Sequence, residues 1–218
     1  MSERTRIKIC GLTRAEDVDA AVDAGADAIG FVFYPPSPRV VGIDAAAALA
    51  RALPPFVAPV GLFVDAEPAL VERALRAIPQ LLLQFHGAEP PEACRSWGRP
   101  YLKAARMAAG VDLLDLATRY AGAAGLLLDA HVEGYGGGGK VFDWSLVPPG
   151  VPCPVVLSGG LHAGNVIEGV RRLRPWAVDV SSGVESGKGI KDAAAMRRFC
   201  RAVREADALI AAEPPVRA

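Results

Sequence analysis

Short apolar, β-branched runs alternate with amphipathic stretches along the whole chain, and polar residues recur just after those runs. Together these predict an α/β fold, a single closed (β/α)8 barrel of the TIM type over residues 1–218. A third observation agrees. Two of the runs, Val155-Val156-Leu157 and Val178-Asp179-Val180, end in Ser158-Gly159-Gly160 and Ser181-Ser182-Gly183. Such residues expose backbone N–H groups, and the last two strand ends of a barrel use them to hold a phosphate, helped by a helix expected to begin just after Ser181.

The elements follow in order. Ile7-Lys8-Ile9-Cys10 alternates, so as a strand it sends Lys8 and Cys10 to one side, and Gly11 breaks it. Thr13-Arg14-Ala15-Glu16 has the capping-box pattern, apolar residues at 15, 18, 21 and 22 share a helical face, and Gly25 is the stop. Ala28–Phe33 reads as the second strand, and Tyr34-Pro35-Pro36-Ser37-Pro38 forms a stiff loop presenting Arg39. An Ala-rich helix near 44–52 precedes a strand at 58–64, and Pro68 suits the first turn of a helix that Pro79 ends. The fourth strand, Leu81–His86, puts Gln84 and His86 on one side, with a short helix near 89–97. Tyr101–Ala105 is a weaker fifth strand, followed by a helix at 111–120, and Gly125–Asp129 is the sixth, apolar until its last residue. The glycine-rich loop from Ala130 to Lys140 reads as a lid. Strands at 155–157 and 176–180, with helices near 163–172 and 192–206, complete eight strands alternating with helices, and a frayed tail is expected from about Ala208.

Composition excludes several classes. Hydrophobic residues make up 51% of the chain, yet none of its apolar runs approaches membrane-spanning length, and no signal-type segment follows Met1; a soluble, cytoplasmic protein is expected. The 24 basic residues balance 24 acidic ones, so nothing points to nucleic acid or a membrane surface as partner. Monomer and homodimer are both compatible with this composition. Cys10, Cys94, Cys153 and Cys200 are far apart and without metal-ligand spacing, so free thiols are expected. Three dispersed histidines make no metal set, and the glycine loops do not follow a dinucleotide-binding order; no metal or cofactor is implied.

Candidate chemistry sits at strand ends. Cys10 is either a small packed hydrophobe or a reactive thiol favoured as thiolate by Lys8. Asp129, behind three leucines, is either a structural acceptor for loop amides or a carboxyl kept protonated by burial, and hence a general acid. Strands one and six lie nearly across the barrel, so the two could address opposite sides of one substrate. Asp179 faces inward and either orients substrate or bonds loop backbone. Arg39 is either a carboxylate-binding fork or a solvated charge. For His86 the commoner reading is a satisfied core histidine, and the other is a substrate-binding side chain beside Arg39 and Asp179.

Those residues fall in motifs: Lys8-Ile9-Cys10-Gly11-Leu12-Thr13, Phe31-Val32-Phe33 with Ser37-Pro38-Arg39, Gln84-Phe85-His86-Gly87, Leu128-Asp129, Lys140-Val141-Phe142-Asp143-Trp144, Leu157-Ser158-Gly159-Gly160-Leu161 with Asn165, and Val178 through Glu185. In this order they resemble the phosphoribosylanthranilate isomerase family over residues 6–205. Gly138 departs from the family's usual Thr in the glycine loop. The resemblance implies a cofactor-free Amadori rearrangement of an aminoaldose phosphate to an aminoketose. It implies Asp129 as general acid opening the ribose ring and Cys10 as general base at C2. Gly159, Gly160, Ser181, Ser182 and Gly183 would hold the phosphate, and Arg39, with Asp179, would position the anthranilate end. The rival readings are a phosphosugar aldolase, a flavin-binding barrel, a histidine-pathway-type isomerase and a non-catalytic phosphometabolite binder. An aldolase needs a Schiff-base lysine at an interior strand end, whereas Lys8 and Lys103 lie before those ends.

Overall fold

The computed structural model describes residues 4–130 and 141–213. Parallel strands β1 (Arg6–Cys10), β2 (Ala28–Val32), β3 (Ala58–Phe63), β4 (Leu82–Phe85), β5 (Tyr101–Met107), β6 (Gly125–Ala130), β7 (Val155–Leu157) and β8 (Ala177–Val180) close into a barrel in sequence order. Lys8 opposite Asp179 in the β1–β8 register seals it. Helices α1 (Ala15–Asp23), α2 (Ile43–Arg51), α3 (Pro68–Ala77), α4 (Pro91–Arg95), α5 (Leu113–Arg119), α6 (Val166–Leu173) and α7 (Ala193–Ala211) form the outer layer.

Alternation along the strands divides the side chains into two sets. Outward residues such as Ile7, Ile9, Ile29, Phe31, Leu126, Leu128, Val178 and Val180 join the helices in the main core. Inward residues Leu102, Ala104, Leu127, Val156 and Ala177 form a separate apolar cluster, the barrel floor. Above it the inward set turns polar, with Lys8, Gln84 and Asp179 all buried. Burial of this kind on both faces is why the strands read as near-continuous apolar runs.

Several expectations need correction. Strand β5 is the longest of the barrel rather than a weak one, because its buried Lys103 points outward and is satisfied by the Gly87 carbonyl (2.7 Å) and Glu89 (2.8 Å). The capping box is not formed. Residue 14 occupies the N-cap of α1 without a side-chain cap, and the Arg14 guanidinium instead pairs with Asp17 through Nε (2.9 Å) and Nη2 (2.6 Å). Among the described residues the β6–β7 connection carries a 3₁₀ turn, Trp144–Leu146, which the sequence pattern did not predict. After β8 comes a 3₁₀ turn, Ser182–Val184, and the small antiparallel pair β9 (Glu185–Gly187) and β10 (Ile190–Lys191) before α7 starts. Helix α7 runs on past Ala208 to Ala211, and Glu213 reaches back to Arg171 (3.1 Å) and Arg174. The loop read as a lid, with its Gly138 departure, lies outside the described residues from 131 to 140. No helix among the described residues is long and apolar enough to cross a membrane.

Candidate active site

A cleft of about 690 Å³ opens at the C-terminal mouth of the barrel, counting its open entrance. Cys10, Arg39, His86, Asp129, Gly159, Gly160, Asp179, Ser181 and Ser182 all line it, so the strand-end polar residues converge on one space. Gly183 alone of the expected phosphate residues does not. It packs so tightly on the Leu161 carbonyl that a Cβ there would collide with it, which holds the β7 and β8 loops together.

Gly159 and Gly160 both adopt left-handed conformations, φ 79° and 63°, which successive L side chains rarely tolerate. Among the described residues neither amide donates a hydrogen bond to the backbone, so both are available to an anion. The Gly160 carbonyl is turned aside by Asn165 Nδ2 at 3.0 Å. Ser182 opens its 3₁₀ turn, where the first N–H groups have no partner within the helix. A 3₁₀ turn and the β9–β10 pair follow β8 in place of a regular α-helix, and Ser181 Oγ is committed to the Cys10 carbonyl, so the backbone amides and the Ser182 hydroxyl are the donors these loops offer an anion.

Cys10 is the last residue of β1 and is buried. Opposite it stands Gly30, where a Cβ would sit 2.6 Å from Cys10 Sγ and 2.9 Å from its Cα. Only glycine leaves room for the thiol. Burial pushes the Cys10 thiol up despite the Lys8 ammonium, so the expectation that Lys8 alone would favour thiolate is corrected: desolvation outweighs the cation. Across the cleft, burial and the Asp179 carboxylate push Asp129 up to about 6, against the hydrogen bond it accepts from Ala130 N at 3.0 Å. Such a carboxyl retains a proton close to neutrality, as a general acid requires.

Asp179 does face the cleft, as its inward position predicts. Its Oδ1 accepts from Lys8 Nζ at 2.9 Å, in a pair whose side chains are 5% and 6% exposed. Arg39 is no solvated charge. Its Nε and Nη2 donate to Glu185 at 2.7 and 2.8 Å, and Glu185 also accepts from the fully buried Lys191 Nζ at 2.8 Å. The two cations hold the Glu185 carboxyl below the usual range although burial opposes them. Lys191 also donates to the Ser181 carbonyl at 3.1 Å, and Ser181 Oγ donates to the Cys10 carbonyl at 3.0 Å. Glu185 and Lys191 thus brace the cleft wall without lining it. Sequence reasoning missed them because nothing local marks a carboxylate that bonds an arginine 146 residues away.

His86 meets the Gln84 side chain at 2.6 Å, and burial together with Lys8, Lys103 and Arg106 lowers its pKa to about 3. It stands neutral in the cleft wall. Cys94, Cys153 and Cys200 are free thiols away from the cleft. No group of His, Cys, Asp and Glu among the described residues could hold a metal ion.

Comparison with known proteins matches most of the chain. A family model described as N-(5'phosphoribosyl)anthranilate (PRA) isomerase matches residues 7–202. The N-(5'-phosphoribosyl)anthranilate isomerase of Methylibium petroleiphilum is 70% identical over 209 residues, covering 96% of this chain and 98% of the relative. That of Leptothrix cholodnii is 71% identical over 205 residues, covering 94% and 93%. A crystal structure of phosphoribosyl anthranilate isomerase in complex with reduced 1-(o-carboxyphenylamino)-1-deoxyribulose 5-phosphate superposes with a TM-score of 0.82 at 38% identity, over 92% of this chain and 99% of that one.

Proposed function

The chain belongs to the N-(5'-phosphoribosyl)anthranilate isomerase family, and from that premise we propose that Asp129 and Cys10 are the acid and base of its aldose–ketose rearrangement. The reaction is the isomerisation of N-(5'-phosphoribosyl)anthranilate in tryptophan biosynthesis. The observation that carries the residue assignment is the convergence of one proton-retaining carboxyl, one thiol and one cradle of free amides on a single cleft.

The steps follow from that arrangement. Asp129 gives its proton to the ribose ring oxygen as the bond from C1 to that oxygen breaks, leaving a C4 hydroxyl and a protonated Schiff base at C1. Cys10, as thiolate, then takes the proton from C2, and the electron pair moves towards the cationic nitrogen to give an enolamine. Tautomerisation places a ketone at C2 and a second hydrogen on C1. The phosphate sits on the amides of Gly159 and Gly160 and on Ser181 and Ser182, fixing the sugar between acid and base. Arg39 commits two of its N–H donors to Glu185, and its remaining guanidinium edge receives the anthranilate carboxylate. His86, neutral, borders the same space. No step draws on a cofactor, and the compartment assigned is the cytoplasm.

The aldolase alternative loses its nucleophile, since Lys8 is tied to Asp179 and Lys103 to Glu89. Purified protein with EDTA and no added cofactor should consume phosphoribosylanthranilate, followed by the decay of its fluorescence. Undiminished fluorescence at micromolar protein would refute the proposal.

A further inference from the structure

The reaction asks for opposite protonation states of two groups in one low-dielectric cleft, a base without its proton and an acid with one. Desolvation pushes both thiol and carboxyl towards their neutral forms, which suits Asp129 and hinders Cys10. Between them lies a charge pair that the proton-transfer steps do not use. Lys8 and Cys10 are successive inward residues of β1, so the Lys8 ammonium shares a strand with the base. Its partner Asp179 belongs to β8, which lies between β1 and β6 in the closed barrel and so places the carboxylate on the side of Asp129.

We propose that the Lys8–Asp179 pair is a fixed internal dipole that biases the two proton-transfer groups in opposite senses, its cationic end towards the Cys10 thiolate and its anionic end towards the protonated Asp129. This deepens the assignment of Cys10 and Asp129 as base and acid, and rests on it. Lys8 and Asp179 are positioning residues in this scheme, since neither exchanges a proton with substrate. The pattern of influences agrees with the geometry: after burial, Lys8 is the chief influence on Cys10, drawing it down, and Asp179 the chief influence on Asp129, drawing it up. Burial alone would strip the Lys8 proton, but Asp179 and Cys10 together hold it in place, so the cation persists.

Other charges face the same groups. Within the pair each end partly offsets the other, since Asp179 raises Cys10 and Lys8 lowers Asp129, with Lys8 the larger influence on the thiol and Asp179 the larger on the carboxyl. Arg39 and Lys191 also act on Cys10 and Arg106 on Asp129, and these three remain when the pair is neutralised, so the change reads the pair's net effect.

The test is the variant Lys8→Gln/Asp179→Asn, which removes both charges and leaves no unpaired buried ion. Cys10 is titrated by the pH dependence of its alkylation, with the other three cysteines replaced by alanine, and Asp129 by the 13C resonance of its carboxyl. The thiol should titrate at least about one pH unit higher than in the parent and the carboxyl about one unit lower, the scale of one close charge. Because the active species needs thiolate and protonated carboxyl together, each unit of added separation makes it tenfold rarer. Turnover should therefore fall by about 10²-fold or more while its pH optimum broadens on both sides. Two unmoved titrations, or two that move in the same direction, would overturn the proposal. If the double variant does not fold, the wild-type protein supplies the test through the 15N resonance of Lys8 Nζ. That resonance should shift as Cys10 ionises, and indifference to the Cys10 titration would overturn the dipole. Both readings are made on the side chains themselves. Failure of the acid–base assignment, seen as full turnover in Cys10→Ser or Asp129→Asn, is therefore distinguishable from failure of the dipole.

Discussion

Replacing Gly30 by alanine perturbs the proposed base without touching it chemically. The added Cβ would lie 2.6 Å from Cys10 Sγ, 2.9 Å from its Cα and 3.1 Å from its Cβ. Carbon contacts settle at about 3.5–4.0 Å, so the thiol must withdraw by about 1 Å. Turning the side chain cannot relieve the contact with Cα, so β1 itself must give. The overpacking should cost about 1–3 kcal/mol of stability, which a barrel with this core survives. A 1 Å misplacement of a reacting group can cost about 10²-fold in rate, and that is the loss expected in kcat for Gly30→Ala. Affinity for the reduced product analogue should change little, since the proposed phosphate cradle lies on the β7 and β8 loops. Stopped-flow fluorescence gives the first quantity and calorimetry the second. Turnover within threefold of wild type in a folded Gly30→Ala protein would refute the claim that this contact sets the position of Cys10.

The cradle should be separable from the chemistry. Gly160→Val, at a φ of 63°, should weaken product-analogue binding at least tenfold with the fold retained by circular dichroism, and unchanged affinity by titration calorimetry would move the phosphate elsewhere. Because the proposed active form pairs a protonated Asp129 with a thiolate whose own pKa lies higher, kcat/KM should rise with pH to about 6, the Asp129 value, and then level off, and a rate that keeps rising tenfold per unit beyond that region would argue that its proton is not used. His86 should remain neutral in NMR titration down to a pH near 3, and protonation near pH 6.5 would show it open to water. Truncating one member of the buried Lys8–Asp179 pair should be worse for stability than neutralising both. Lys8→Met alone should cost about 3–5 kcal/mol in urea unfolding, and a loss below 1 kcal/mol would mean that Asp179 finds another partner.

Much of this was legible in the sequence because the barrel repeats one rule. Each strand is short and apolar, and the first polar residue after it lies at the mouth, so Cys10, Asp129 and the Gly159-Gly160 turn could be assigned to one face from order alone. What the sequence does not carry is which strand ends touch. Lys8 and Asp179 are 171 positions apart, and only the closure of β1 against β8 makes them a pair. Glu185 reads as the tail of a Ser-Gly turn, yet in the fold it gathers Arg39 and Lys191. Strand β5 misled for the opposite reason. Lys103 interrupts its apolar run, and nothing near it in sequence announces that Glu89 and the Gly87 carbonyl would satisfy an outward buried ammonium. The helix anticipated just after Ser181 is only a 3₁₀ turn, Ser182–Val184, because the following residues enter the β9–β10 pair.

The assignment of base and acid is tested most directly by the turnover of Cys10→Ser, measured beside its affinity for the reduced product analogue. A serine hydroxyl fills nearly the same space beside Gly30 but is a far poorer base near neutral pH. General acid–base groups contribute about 10²- to 10⁴-fold, so turnover should fall by at least the lower figure while affinity stays within about threefold. Near-normal turnover in Cys10→Ser would contradict the account, making the thiol a packing residue and leaving the C2 proton to another group in the cleft.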